Sequence, residues 1–212
     1  VEDPTVSVSV IVAAHGDRWW YDLMMRRAVP SVERQGHDCE LLVEFQPHGT
    51  IATARNAGAA RATGSHLVFL DADDELADGY LHAIDQAARQ HPDALLVPRV
   101  QYIVGGGRER PPRFPTRVDA TDGNWMVIGT GMPARRFREV GGFEEWPIYE
   151  DWALFARIQK AGAQVVTVEP AVYRAHRRVR SRNHSTGRNG KLAAHDQIRR
   201  AVFPELYETE TT

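Results

Sequence analysis

The run Val6–Ala14 is β-branched and nearly continuously apolar. That pattern predicts a strand buried on both faces, as in a parallel sheet. Arg18–Gly36 predicts a helix, with Pro30 disturbing it and Gly36 ending it. Cys39–Phe45 predicts a second strand. Thr50–Gly64 is an alanine-rich helix whose small side chains permit close packing on a sheet. Ser65–Leu70 is a third strand, Leu76–Gln90 a third helix and Ala94–Val104 a fourth extended segment. Strands alternating with helices argue for an α/β fold with a mainly parallel sheet flanked by helices.

The pattern changes after Val104. Gly105–Arg117 is a Gly/Pro/Arg loop, expected to be exposed, and Asn124–Trp146 carries strand and helix signals in short pieces. Tyr149–Gly162 predicts a helix, with Leu154, Phe155, Ile158 and Ala161 on one face and Gly162 as its cap. Gln164–His176 is extended, Arg177–Gly190 reads as flexible, and an amphipathic piece runs from Lys191 to Phe203. No repeat and no clean linker appears. The expectation is one domain: a nucleotide-binding half over 1–104, a second half over 105–177, and a basic tail with a terminal helix over 178–212.

Composition narrows the function. A net charge of −2 gives no global field for nucleic acid or a membrane surface. No apolar run approaches the ~20 residues of a membrane span, and no signal-peptide pattern stands at the start. Cys39 is the one cysteine and has no internal partner, so a cytoplasmic setting is expected. Arginine supplies all the basic residues except Lys160 and Lys191. A GC-rich coding genome explains that bias, and so does phosphate binding, for which the guanidinium fork is suited; both can hold.

The chemistry concentrates where the third strand ends. Asp71, Asp73 and Asp74 follow directly on an apolar run. Like charges this close stay ionised only with a cation or well-placed donors. A calcium loop of the EF-hand kind fails, because its sixth and twelfth positions hold Leu76 and His82. An aspartyl-nucleophile phosphatase places its Asp-x-Asp after the first strand, not the third. A third reading is a solvated turn capping the next helix. The fourth is a divalent metal held by carboxylates and by nucleotide phosphates, at the strand end where open α/β sheets bind ligands.

The stretch Ala54–Asp74 resembles the nucleotide-sugar segment of glycosyltransferase family 2. Val8–Asp17 is similar to that family's first strand and nucleotide loop. Val140–Glu145, Tyr149–Gly162 and Val172–His176 then resemble its second half, in the family's order. The resemblance covers roughly residues 6 to 177. It implies a GT-A fold, a Rossmann-like sheet in a single domain, and an enzyme moving a sugar from a nucleotide-diphospho-sugar to an acceptor hydroxyl. It implies Mn²⁺ or Mg²⁺ on the Asp-x-Asp, with Asp73 on the metal, Asp71 on the metal or toward ribose or donor sugar, Ala72 between them and Asp74 as support. A cation there stabilises the leaving nucleoside diphosphate.

The family's Glu-Asp pair falls on Glu150 and Asp151, with Asp151 as general base of an inverting transfer. A carboxylate opening a helix also suits a plain cap. The resemblance further places Arg55 and Asn56 beside the nucleotide, Gly131 of the Gly129–Met132 turn near the donor sugar, and His176 near the diphosphate or metal. Arg177 and Arg178, with Arg180 and Arg182, are either a flap over the diphosphate or a solvated charge run. Two departures stand out. Ala13 and His15 occupy the loop where the family commonly has Pro-x-Tyr-Asn, so His15 is the candidate to stack on the base. Glu44 and Gln46 stand where it has an acidic strand end. Trp125 and Trp146 are candidates for an acceptor platform or for core packing. Two other classes compete. A nucleotidyltransferase lacks its usual glycine-rich basic loop here, and a non-catalytic sugar-nucleotide or glycan-binding module would bind without turnover.

Overall fold

A computed structural model describes residues 7–115, 120–121, 123–177 and 186–208. Strand β1 (Val8–His15) is buried along nearly its whole length and lies between β2 (Glu40–Gln46) and β3 (His66–Asp71), parallel to both. A two-residue strand β7 (Met132–Pro133) closes that sheet antiparallel to β3. The second sheet centres on β5 (Leu95–Val104) parallel to β8 (Val165–His176). Two-residue strands flank it, β4 (Glu75–Leu76) on β8 and β6 (Arg108–Glu109) on β5, both antiparallel. The expected single, mainly parallel sheet is therefore two four-stranded sheets among the described residues, parallel throughout except where the two-residue strands β4, β6 and β7 join at an edge. Two-residue strands carry no periodicity, so the sequence pattern cannot reveal them.

The acidic run spans the gap between the sheets: Asp71 ends β3 in the first and Glu75 begins β4 in the second. Hydrogen bonds from the preceding helices hold that turn. Helix α1 (Arg18–Arg26) and helix α2 (Ala28–Glu33) divide at Arg27, whose φ is −125° and ψ −67°, and not at Pro30. Pro30 sits in the first turn of α2, where its missing N–H has no intrahelical partner to lose. Arg27 then donates to the Asp73 carbonyl at 2.9 Å, Ser31 Oγ accepts from the Leu76 N–H at 3.1 Å, and Arg34 meets Glu75 at 2.9 Å.

Helix α3 (Ile51–Arg61) opens on a Thr50/Thr53 capping box. It lies close on β1, because a Cβ at Gly58 would stand 2.5 Å from Ile11 Cγ2. Helix α4 (Tyr80–Gln90) follows β4, and the short α5 (Ala134–Glu139) follows β7. Helix α6 (Glu150–Lys160) buries Trp152, Leu154, Phe155 and Ile158. The last helix, α7 (Arg188–Val202), begins three residues before the expected amphipathic piece and buries Ala194, Ile198 and Val202 at four-residue spacing. Its His195 ring stacks on Trp152 at 4.5 Å between centroids. Among the described residues, no helix is long and apolar enough to cross a membrane.

Candidate active site

The carboxylate groups of Asp71, Asp73 and Asp74 offer oxygens that all lie within 4.8 Å of one another. Asp74 is the buried member. Tyr173 donates its hydroxyl to Asp74 Oδ2 at 2.8 Å, and the His176 backbone N–H donates to Oδ1 at 2.7 Å. Burial, with Asp73 and Asp71 beside it, still pushes the Asp74 carboxyl well above the ordinary carboxylate range. Three oxygen donors with this much mutual repulsion suit a hard divalent cation such as Mg²⁺ or Mn²⁺. The chemistry of the donor set therefore fits the implied metal.

Glu150 and Asp151 open α6 across from that cluster. Tyr149 precedes them in the left-handed region, at φ 67° and ψ 28°. A tyrosine held there is strained, and the turn aims the following carboxylates inward. Asp71, Asp74, Tyr149 and Asp151 line one cleft of about 600 Å³, together with Tyr102, Asn124, Trp125 and His195. Burial first, and Glu150 second, raise the Asp151 carboxyl to about 7.

Arg55 joins the two acidic groups. It is 4% exposed and donates to Asp71 Oδ1 at 2.6 Å and to Glu150 Oε1 at 3.0 Å. Burial opposes its charge, but Asp71 and Glu150 hold the guanidinium above its ordinary value.

The remaining predicted residues divide. Ala13 sits in register with both Glu44 and Asp71, so Glu44, Ala13 and Asp71 form one row across the strand ends. His15 ends β1 opposite Gln46. Glu44 is paired with Arg61 at 2.8 Å. Ala72 is buried in the acidic turn. Arg177 reaches the rim, its guanidinium 4.8 Å from the Tyr102 ring centre. Arg178, Arg180 and Arg182 lie outside the described residues.

Asn56 turns from the cleft: its amide donates to the Phe143 carbonyl at 2.8 Å and accepts from the Phe143 N–H at 2.9 Å. Gly131 exchanges both backbone bonds with Leu96, and at Gly129 the space a side chain would need is filled by the Tyr173 ring. These glycines admit protein. The His176 ring bonds Glu75 at 2.8 Å, and the residue's backbone is what touches the acidic cluster. Trp125 lines the cleft, whereas Trp146 bonds Glu144.

Sequence reasoning gave no role to Tyr173, Tyr149, Asn124 or His195. Tyr173 was within reach, because the alternation along β8 buries Ala171 and Tyr173 together. The other three depend on backbone strain, an irregular loop and a distant helix, and nothing local marks them.

The family model for glycosyl transferase family 2 matches residues 29–143, more than half of the chain. Among solved structures, that of S. aureus TarS aligns with a TM-score of 0.70 at 13% identity, covering 98% of this chain and 41% of that one. TarS 1–349 in complex with UDP-GlcNAc aligns at 0.66 and 14% identity, covering 93% and 71%. GalNAc-T7 with UDP, GalNAc and Mn²⁺ aligns at 0.68 and 15% identity, covering 93% and 48%. The chain thus spans less than half the length of full TarS and of GalNAc-T7, and its α/β architecture is theirs, the GT-A fold. With its acidic turn at the end of β3 inside the matched segment, the chain belongs to glycosyl transferase family 2.

Proposed function

We propose that this chain transfers a sugar from a nucleotide-diphospho-sugar to an acceptor hydroxyl, with inversion at the anomeric carbon. One observation carries the reading: Asp71 and Asp74 of the acidic cluster line one cleft with Asp151, and buried Arg55 ties Asp71 to Glu150, the neighbour of Asp151. Solved relatives of the same fold hold UDP-GlcNAc in one case and UDP with Mn²⁺ in another.

Asp73 and Asp71 would hold Mn²⁺ or Mg²⁺, with Asp74 shaping the turn. The cation supplies charge stabilisation for the departing diphosphate. A metal role for His176 requires its ring to leave Glu75. Ala13, His15 and Glu44 border the nucleotide end, Arg55 orients Asp71 and Ala72 brings the backbone close. Arg177 flanks the diphosphate end.

Asp151 takes the proton of the acceptor hydroxyl as the new bond from that oxygen to the anomeric carbon forms. The bond from that carbon to the phosphate oxygen breaks, and nucleoside diphosphate leaves with the electron pair. The neighbouring Glu150 is engaged by Arg55, which leaves Asp151 as the carboxylate for the proton. Cys39 is unpaired and suits a reducing, cytoplasmic setting.

The test is a panel of nucleotide-diphospho-sugars with Mn²⁺ or Mg²⁺, reading the released product. Nucleoside diphosphate is expected. Pyrophosphate identifies a nucleotidyltransferase, and binding without either product identifies a non-catalytic module.

A further inference from the structure

Asn124 stands in the cleft wall, outside both acidic groups. Its Nδ2 donates to Oδ1 of Asp151 at 3.2 Å. The Trp152 backbone N–H donates to that same oxygen at 2.8 Å. Two donors converge on Oδ1, so Oδ2 is the more basic of the two carboxylate oxygens. The amide orientation follows from chemistry: turned over, it would set a carbonyl oxygen against a carboxylate.

The other end of the amide is informative. Oδ1 of Asn124 is closed off from solvent and has no hydrogen-bond partner among the described residues. A buried acceptor left unpaired destabilises the folded chain. An apolar side chain of similar volume would hold this loop as well or better, so packing alone does not explain an asparagine here.

We propose that Asn124 is a positioning residue for the transfer: its N–H pins Oδ1 of Asp151 and turns Oδ2 toward the acceptor hydroxyl. This rests on the reading of Asp151 as the base. Among the described residues, charged groups face Asp151 from three elements. Glu150 beside it and Asp71 across the cleft disfavour its charge, and Arg55 from α3 favours it. Tyr149 and His195 complete the surroundings in the cleft. Asn124 adds a donor without adding a charge, which favours the ionised carboxylate.

The experiment compares Asn124→Leu and Asn124→Ala with the unaltered chain. Thermal stability of Asn124→Leu should be equal or higher. The kcat should fall roughly tenfold to a hundredfold, the equivalent of one hydrogen bond to a charged group, with donor KM unchanged. The acid limb of the pH profile should move to higher pH. A direct carboxyl titration of Asp151 by NMR, with no turnover, should move in the same direction. Lower stability with unchanged kcat and pH profile overturns the proposal, as does an unmoved Asp151 titration. If Asp151→Asn itself transfers at full rate, the base reading fails instead. The NMR titration then still decides whether Asn124 acts on Asp151.

Discussion

Replacing Asp151 by asparagine should make the protein more stable and nearly inactive. The side chain starts from an ordinary carboxyl value of 3.8 and is raised to about 7 in the fold, by burial first and then by Glu150. Between those values the folded chain keeps a proton that the unfolded chain releases. Stability therefore falls as pH rises through that window, and above it the full cost of ionising Asp151 is present. At about 1.36 kcal/mol for each tenfold change in acidity, that cost has a ceiling of about 4 kcal/mol. Asp151 is half-buried and shares the field of Glu150 and Arg55, which brings the expectation to about 1–2 kcal/mol. For a chain of this length that is about 2–8 °C in Tm. Asparagine keeps an oxygen for the Asn124 and Trp152 donors and carries no charge. Asp151→Asn should melt higher than the unaltered chain at pH 8 and at nearly the same temperature at pH 4. Transfer should fall by ~10²–10⁴ while donor binding persists. In the unaltered chain, transfer should lose about tenfold per pH unit below 7, because a base must be ionised. A Tm difference that does not change with pH refutes the desolvation argument. Near-normal turnover in Asp151→Asn refutes its role as base and makes Glu150 the next residue to test.

Arg55→Met should destabilise by about 3 kcal/mol, since buried Glu150 and partly exposed Asp71 would both lose their shared cation; urea unfolding measures this, and a loss below about 1 kcal/mol would count against the bridge. Transfer should vanish in excess chelator and return with Mn²⁺ or Mg²⁺, while Asp73→Asn should show no such recovery; full activity in chelator rejects the metal reading. Asn56→Ala should lower stability by about 1–3 kcal/mol through the two bonds lost to Phe143, with donor KM unchanged. A large rise in donor KM without loss of stability would return Asn56 to the nucleotide.

What was legible in the sequence was local. The buried strands β1, β3 and β5 declare themselves by apolar runs, and the acidic turn by three carboxylates in four positions. The strained Tyr149 does not, because left-handed backbone at a tyrosine is imposed by its surroundings and not by its own preference. Asn56 shows the opposite case. Its neighbour Arg55 does face the acidic groups, but adjacent residues on a helix point about 100° apart, so one can serve the cleft while the other pins the Phe143 turn.

Arg55 shows where local reading stops and what the fold adds. Asp71 lies 16 positions after it and Glu150 lies 95. Each carboxylate is visible as part of its own short stretch, yet their connection exists only once α3, β3 and the start of α6 converge. A lysine at this position would bring one compact charge, whereas the planar fork spans two carboxylates at once. Arg55→Lys should therefore lose its contact with one of the pair. In the proposed mechanism Asp71 belongs to the metal and donor side, and Glu150 adjoins the base, so a change at one should be felt by the other through a single rigid side chain. The expected result is that Arg55→Lys weakens donor binding and also displaces the pH profile of transfer. A change confined to donor KM, with the pH profile unmoved, would mean that the two halves of the cleft act independently.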